Sequence, residues 1–290
     1  MPALVEKCRQ SVLAAAFRGD LTADWRKKNP NVEPASKLLE RIRAERRKKW
    51  EEAELAKMKA KGKVPKDDKW KAKYAEPEPL DARELPELPP TWCWASLDDL
   101  LLSLRNGVAT KPDRDDGLPV LRISAVRPLE VDLSDVRYLR DTAEYDPYHL
   151  TEHDLLFTRY NGNAELVGSC AVVTGLNRRI VFPDKLIRGR AVGQLVLPEF
   201  IAQAASAGAT RAFIASKSKS AAGQVGISGS DLRRAPVPLV PVGEQKEIGR
   251  VVGHALTVSR CAQVDADSGL DKHASLERAL LARAFAGQLV

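Results

Sequence analysis

LAAAFRGDL, the stretch at residues 13–21, returns near the end of the chain as LARAFAGQL at residues 281–289. Six of the nine positions are identical, and they include a phenylalanine and a glycine at fixed spacing. Two alanine-rich amphipathic helix ends can resemble each other by chance, but the shared Phe and Gly favour a duplicated segment. We therefore expect one period of a repeat, with a globular module between two related helices.

Helices are predicted at both ends of the chain. Over residues 3–18, apolar side chains recur at spacings of three and four, and Gly19 can cap the end of that helix. Ser36 can cap a second, strongly basic helix, and the six prolines of residues 62–90 predict an extended linker. A last helix is predicted from Glu244 to Ala286, about 43 residues or roughly 65 Å. A helix of that length needs a partner helix.

The middle of the chain has a different pattern. Short runs rich in branched residues at 120–123, 155–157, 171–173, 180–182 and 195–197 alternate with turn residues and predict strands. Pro198 favours a helix that continues to about Phe213, and residues 216–230 are typical of a flexible loop. The prediction is an α+β fold: a mainly β globular domain with a few helices, and long helices that form an antiparallel, coiled-coil-like spacer.

Charge and cysteine content narrow the functional class. The net charge is +7, yet residues 41–73 alone hold 14 Lys/Arg against 6 Asp/Glu. Such a block favours nucleic acid or an acidic protein as partner, unless it is simply a solvated helix. The four cysteines are far apart with no CxxC pair, so we expect reduced thiols and a cytoplasmic protein. We expect neither secretion nor a membrane span, because no long apolar run occurs.

Five segments in order resemble the DNA-specificity subunits of type I restriction–modification systems. RQSVLAAAFRGDL at 9–21 is similar to the end of the family's central conserved helix, and EPASKLLERIRAERRKKWEE at 33–52 is similar to the stretch after that helix. LPELPPTWCWASLDDLLL at 85–102 and HDLLFTRYNGNAELVGSCAVV at 153–173 resemble the start and centre of a target-recognition domain. PVPLVPVGEQKEIGRVV at 236–252 is similar to the passage into the distal conserved helix.

The resemblance implies an organisation and a set of partners. Residues 1–20 would be the tail of a spacer helix, 21–90 a basic helix and linker, 91–242 a target-recognition domain, and 243–290 a second spacer helix. Family members carry two such domains, whereas this sequence has one and is similar to a half-subunit or a C-terminal half. The implied partners are double-stranded DNA, methyltransferase subunits that bind S-adenosylmethionine, a restriction and translocase subunit, and a second copy of the chain.

The sequence predicts that this chain is not an enzyme and binds no cofactor or metal itself. Asp146-Pro147-Tyr148 lacks the second proline and the glycine loop of a methyltransferase, and no GxxxxGK[ST] loop for nucleotide is present. His149 and His153 are four residues apart, as in some metal sites, but no third ligand is evident. We interpret them as surface histidines.

Three groups of residues have side chains suited to DNA. Arginine can bind guanine, asparagine and glutamine can bind adenine, and lysine neutralises phosphates. The candidate groups are Arg159, Tyr160, Asn161 and Asn163; Lys217, Lys219 and Gln224; and, more weakly, Arg105, Lys111 and Arg114. Each loop has an alternative interpretation, since Asn-Gly at 161–162 is also a favoured turn and 216–224 is also a solvated loop. Two other functions remain open: a helical scaffold with a protein-binding module, and a stand-alone DNA-binding regulator.

Overall fold

The computed structural model describes residues 2–63, 65–221 and 223–258. Predictions that concern residues 259–290 therefore lie outside the described residues. They include the second copy of the repeated stretch, Cys261 and most of the last spacer helix. Among the described residues, no helix is both long enough and apolar enough to cross a membrane.

The chain begins with three helices: α1 at Pro2–Arg18, α2 at Ala23–Lys28 and α3 at Ala35–Ala60. The prediction of α1 is confirmed, and Gly19 follows it with a φ of 88°, which is the left-handed conformation of a helix-ending glycine. The prediction that Ser36 caps α3 is wrong. The N-cap is Pro34, whose carbonyl accepts hydrogen bonds from the amides of Lys37 and Leu38.

The sequence predicted an extended linker at residues 62–90, but this stretch is not extended throughout. It contains a 3₁₀ turn at Lys69–Lys73, which lies against the C-terminal half of α3. The ring of Trp70 stacks on Trp50 at 6.1 Å between centroids, and Tyr74 contacts the same indole at 5.3 Å. Aromatic packing across about 20 residues, which sequence spacing does not encode, accounts for the difference.

Strands dominate the middle of the chain and form several small sheets. Their bounds are β1 Cys93–Ser96, β2 Leu101–Asn106, β3 Leu118–Leu121, β4 Val126–Arg127, β5 Glu130–Val131, β6 Val136–Leu139, β7 Leu155–Thr158, β8 Tyr160–Asn161, β9 Cys170–Val172, β10 Leu186–Ala191, β11 Lys219–Ala221, β12 Gln224–Gly226 and β13 Pro236–Leu239. The largest sheet has the order β2-β10-β7-β9, and all of its pairs are antiparallel. The α+β class is confirmed.

Two of the five predicted strands are wrong. Residues 180–182 form only isolated bridges through Val181. Leu195 ends a 3₁₀ turn at Gly193–Leu195, and residues 196–197 form no strand. Residues 180–182 are buried and so is Val196, and a short apolar run that packs in a core resembles a strand in sequence.

Short helices connect these strands: α4 at Leu97–Leu100, α5 at Pro198–Ala204, α6 at Gly208–Lys217 and α7 at Gly229–Arg233. The single helix predicted from Pro198 to Phe213 is therefore two helices. Gly208, the first residue of α6, has a φ of 59°, a left-handed conformation that prevents α5 from continuing into α6. A final helix, α8, covers residues 242–258 of the described chain, two residues earlier than predicted.

One apolar core joins the terminal helices to the globular part. Leu13 of α1, Leu38 of α3 and Ile248 of α8 are each fully buried in the same cluster as Phe157 and Ile187 of the central sheet. Phe17 also packs on Phe200 of α5, with 5.5 Å between the ring centroids. The N-terminal helices and the beginning of α8 are thus anchored on the module that carries the candidate site.

Candidate nucleic-acid interface

The central strand β7 carries the candidate site to the surface. All four of its residues are buried, because β10 and β9 cover its edges while Leu155 and Phe157 pack into one apolar cluster and Leu156 into another. Immediately after it, the amide of Arg159 donates to the carbonyl oxygen of Lys185 at 2.8 Å. The apolar strand is therefore a rigid base from which Arg159 and Tyr160 emerge half-buried.

The structure brings two of the three predicted groups together in one small sheet. Its strand order is β11-β12-β8, so the 159–163 segment pairs with the 219–226 hairpin. The amide of Ile227 also donates to the carbonyl oxygen of Arg159 at 3.0 Å. The prediction of a flexible loop at 216–230 is wrong, since these residues form the end of α6, a hairpin and α7.

The register of this sheet sorts the candidate side chains onto two faces. Tyr160 and Lys219 both lie opposite Gly226, so the three positions share one face, and Gln224 shares it by alternation. Asn161 lies opposite Val225 and therefore belongs to the other face. One aromatic, one cationic and one amide side chain are thus presented together.

Tyr160 is held by contacts on its ring. A Cβ built on Gly226 would come within 2.2 Å of Tyr160 Cδ1, so the ring covers a position that only glycine leaves open. The guanidinium carbon of Arg159 lies 4.7 Å from the centroid of the same ring. This cation–π contact orients Arg159, although its Nε is buried without a hydrogen-bond partner among the described residues.

The two asparagines support the turn after β8. Asn161 Oδ1 accepts a hydrogen bond from the amide of Asn163, and Asn163 Oδ1 accepts one from the amide of Glu165, both at 2.9 Å. These are the contacts that asparagine makes in turns. Their role in base contact stays a prediction, because bidentate binding of adenine would also use the side-chain oxygen.

Lys217 and Lys219 differ in their surroundings, although both are exposed. Lys217 is the last residue of α6 and lies over the ring of Phe213, with Nζ 5.5 Å from the centroid. Lys219 begins β11.

The third predicted group is not brought together as one set. Arg105 lies on β2, where its Nη1 donates to the carbonyl oxygen of Pro147 at 3.1 Å and its guanidinium stacks on Tyr148 at 4.9 Å. Arg114 forms an isolated backbone bridge with Tyr138. Lys111 lines a cleft of about 380 Å³.

That cleft contains basic residues that sequence reasoning missed. Arg122, Arg137 and Lys185 line it together with Lys111, and Asp184 is the only acidic residue of the lining in the part of the chain that the structure describes. It adjoins the first group directly, because the Asp184 carbonyl oxygen accepts from Arg159 Nη1 at 3.4 Å. We name Lys111, Arg122, Arg137 and Lys185 the basic cleft. The sequence signal for the basic cleft was weak. It consisted of Arg122 beside apolar residues at 120–123 and Arg137 beside apolar residues at 136–139.

A buried ion network lies in the sheet that supports the site. Arg188 and Asp154 are 4% and 1% exposed, and Arg190 Nε donates to Asp154 Oδ1 at 2.7 Å. Burial lowers the pKa of the Arg188 guanidinium to about 10, and repulsion from Arg190 contributes. Arg188 Nη1 donates to the carbonyl oxygen of His149 at 2.8 Å. These groups are engaged with one another, which favours a structural role.

The two histidines do not share a site. His149 Nε2 accepts a hydrogen bond from Arg179 Nη2 at 2.7 Å, while His153 Nδ1 lies 3.7 Å from Glu199 Oε1. Within the described part of the chain, no group of three or more metal-ligating side chains is found.

No protein-family model matches this chain. Comparison with known proteins does identify relatives, one of which aligns with the whole chain. The type I restriction enzyme EcoKI specificity subunit of Escherichia coli strain K12 is 31% identical over 292 residues, which cover 100% of this chain and 50% of that protein. The EcoEI specificity subunit of Escherichia coli is 28% identical over 253 residues, covering 85% of this chain and 39% of that protein.

A solved structure supports the same fold. A chain from a study of complex assembly and conformational transition in the type I restriction–modification system is similar with a TM-score of 0.55 and 17% identity, over 88% of this chain and 58% of that one. The present chain spans half or less of the length of these two curated relatives. By sequence along its whole length, the chain is homologous to the specificity subunits of type I restriction enzymes.

Proposed function

We propose that the chain is a non-catalytic, sequence-specific DNA-recognition part of a type I restriction–modification complex. The observation that carries the proposal is the convergence of Arg159, Tyr160, Lys219 and Gln224 on one small sheet beside the basic cleft. Arg and Gln can contact base edges, while the lysines neutralise phosphates. Homology to specificity subunits supports the same function.

Recognition would take place on double-stranded DNA. Arg159 is the main candidate for a base contact, because its stack on Tyr160 orders the guanidinium before DNA arrives. The basic cleft would hold the adjacent phosphates. Arg122 pairs with Asp135 at 3.4 Å, and Lys111, Arg137 and Lys185 outnumber Asp184 in the lining, so the cleft attracts a polyanion.

One globular module would read one half of a bipartite site. The spacer helices would set its distance from a second module, supplied by a second copy of the chain or by another recognition domain. Methyltransferase subunits would be positioned by this spacer and would bind S-adenosylmethionine, and a restriction and translocase subunit would join for cleavage. The complex would act in the cytoplasm. Mass measurement with a duplex would find two modules per site, and a strict 1:1 complex of this chain with its DNA would exclude self-pairing.

The test of base recognition is a selection from random-sequence duplexes with wild type and the Arg159→Ala, Asn161→Ala double variant. Each lost base contact removes about 1–3 kcal/mol of discrimination, so we expect selectivity to fall roughly 10-fold to 100-fold. Arg83→Ala is the matched control, because Arg83 is exposed and pairs with neighbouring Asp81. Unchanged selectivity in the double variant would exclude this segment as the reader.

Salt dependence separates this function from that of a protein scaffold. A DNA reader loses affinity steeply as salt rises, because phosphate contacts release counterions. Binding of duplex DNA that is weak and insensitive to salt would favour the scaffold.

A further inference from the structure

Helix α3 changes its basic residue type halfway along its length. Its first half carries only arginines and one lysine as basic residues, and from residue 48 to residue 82 every basic residue is a lysine. The arginines are Arg41, Arg43, Arg46 and Arg47, and the lysines are Lys48, Lys49, Lys57, Lys59, Lys61, Lys63, Lys66, Lys69, Lys71 and Lys73.

The arginines are occupied in holding the helix to the rest of the chain. Arg43 Nε donates to Asp99 Oδ1 at 2.8 Å, and this carboxylate is 1% exposed on its side chain. Arg46 Nε donates to the carbonyl oxygen of Leu101 at 2.9 Å and also pairs with Asp98 at 3.4 Å. Because these contacts are made within the chain, they leave little positive charge available to a partner.

Half of the ten lysines from Lys48 to Lys73 are not paired with an acid among the described residues. Lys59, Lys61, Lys63, Lys66 and Lys73 are exposed, and none forms an ion pair with any of the described residues. We call these five residues the lysine tip.

Nearby carboxylates do not cancel the charge of the lysine tip. Glu54 pairs with Lys57, and Glu52 pairs with Lys49. Glu51 lies 3.7 Å from Lys71 Nζ. Asp67 and Asp68, which follow Lys66, pair with Lys69 and Lys71. Since each of these acids already has a basic neighbour outside the lysine tip, the five ammonium groups remain in excess.

Aromatic and hydrogen-bond contacts connect the segment after α3 to α3 itself. Trp70 lies stacked on Trp50 of α3 with 23° between the ring planes, and Arg46 Nη1 donates to the Tyr74 hydroxyl at 2.8 Å. The segment that carries Lys66 and Lys73 is therefore fastened to the helix that carries Lys59. Binding a partner here needs little further ordering of the backbone.

The presence of lysine in place of arginine in the lysine tip favours a phosphate-bearing partner over a protein partner. Protein interfaces are depleted in lysine and enriched in arginine and aromatic side chains, whereas lysine also binds phosphate as a point charge. Among the described residues of 57–73, no large apolar side chain is exposed. We propose that the lysine tip binds backbone phosphates of duplex DNA outside the sequence that the small sheet reads. This inference rests on the proposed DNA-recognition function.

The experiment compares two variants with equal loss of charge. Lys59, Lys61, Lys63 and Lys66 are changed to Gln in one, and the exposed Lys27, Lys28, Lys37 and Lys246 in the other. Binding of the full chain to a mixed-sequence duplex of about 40 base pairs is measured over a series of salt concentrations. Each lost phosphate contact lowers the slope of log affinity against log salt by about 0.9, so we expect a decrease of up to roughly 3–4 for the lysine tip alone.

The outcomes separate this inference from the proposed function. Selectivity among sequences should be unchanged in the lysine-tip variant, because phosphate contacts carry no sequence information. Equal slopes in both variants, with wild type still selective, would overturn the lysine-tip proposal and leave the proposed function standing. A lysine-tip variant that keeps its slope but no longer binds the methyltransferase subunit would identify the tip as a protein-docking surface instead. Wild type without salt-dependent binding would overturn both.

Discussion

The position of Tyr160 in the candidate site depends on Gly226, a residue without a side chain. Gly226 lies opposite Tyr160 in the β12–β8 pair, and the tyrosine ring occupies the space that a Cβ would need. Arg159 then stacks on this ring through its cation–π contact. A glycine 66 residues from Tyr160 in sequence therefore sets the position of the residue most suited to read a base.

At the residue scale we predict that Gly226→Ala impairs DNA selectivity. The added methyl would lie 2.2 Å from Tyr160 Cδ1, so the ring and the Arg159 stacked on it must move. We expect discrimination between sequences to fall by about 1–3 kcal/mol, the worth of one base contact. The measurement is competition between the preferred duplex and random duplexes.

Gly229→Ala is the control for this change, because no heavy atom lies within 4 Å of a Cβ built at that position. It should leave selectivity unaltered. Equal selectivity of the two alanine variants would mean that the placement of Tyr160 does not matter for recognition.

At the scale of elements, α3 is one helix with two environments. Leu38 and Ile42 are fully buried in the main core, whereas Leu55 is only half-buried beside the Trp50 stack. The sequence predicted the helix from its propensity, but its apolar positions alone left open whether it had a partner surface. The contacts of the first half, and the stacking of Trp70 on the second, could not be read from spacing because their partners are distant in the chain.

We predict that Leu38→Ala destabilises the protein far more than Leu55→Ala does. Removal of a fully buried leucine side chain leaves a cavity and costs about 2–5 kcal/mol in free energy of unfolding. Leu55 loses less contact on truncation, so the cost at that position should be smaller. Urea denaturation followed by circular dichroism measures both, and similar losses would show that the far half of α3 is packed as firmly as the near half.

At the scale of the whole molecule, one carboxylate joins three parts of the chain. Glu244 of α8 is fully buried and accepts hydrogen bonds from Thr22 Oγ1 at 2.7 Å, Arg26 Nη1 at 2.6 Å and Trp92 Nε1 at 2.8 Å. These donors lie after α1, in α2 and just before β1. The arrangement connects the N-terminal helices, the start of the globular module and the start of α8 at a single point.

We predict that Glu244→Gln weakens this junction. The uncharged amide cannot balance Arg26, whose side chain is 18% exposed, and loss of one partner of a buried ion pair costs about 3–5 kcal/mol. The free energy of unfolding in urea is the measurement. Glu247→Gln is the control, because the pair of Glu247 with Arg250 lies at the surface and should contribute little. A Glu244→Gln protein as stable as the control would show that the junction does not depend on charge.

Features that depend on neighbouring residues could be predicted from the amino-acid sequence. Helix α1 and its glycine end, the basic helix, the buried strand β7 and the resemblance to specificity subunits were all readable, because helix periodicity and strand burial are local patterns. Three features became visible in the folded chain alone: β8 pairs with the 219–226 hairpin, Arg122 and Arg137 share a cleft with Lys185, and Glu244 is buried. Strand pairing and ion pairing join residues tens to hundreds of positions apart, and no local spacing specifies which distant partner is chosen.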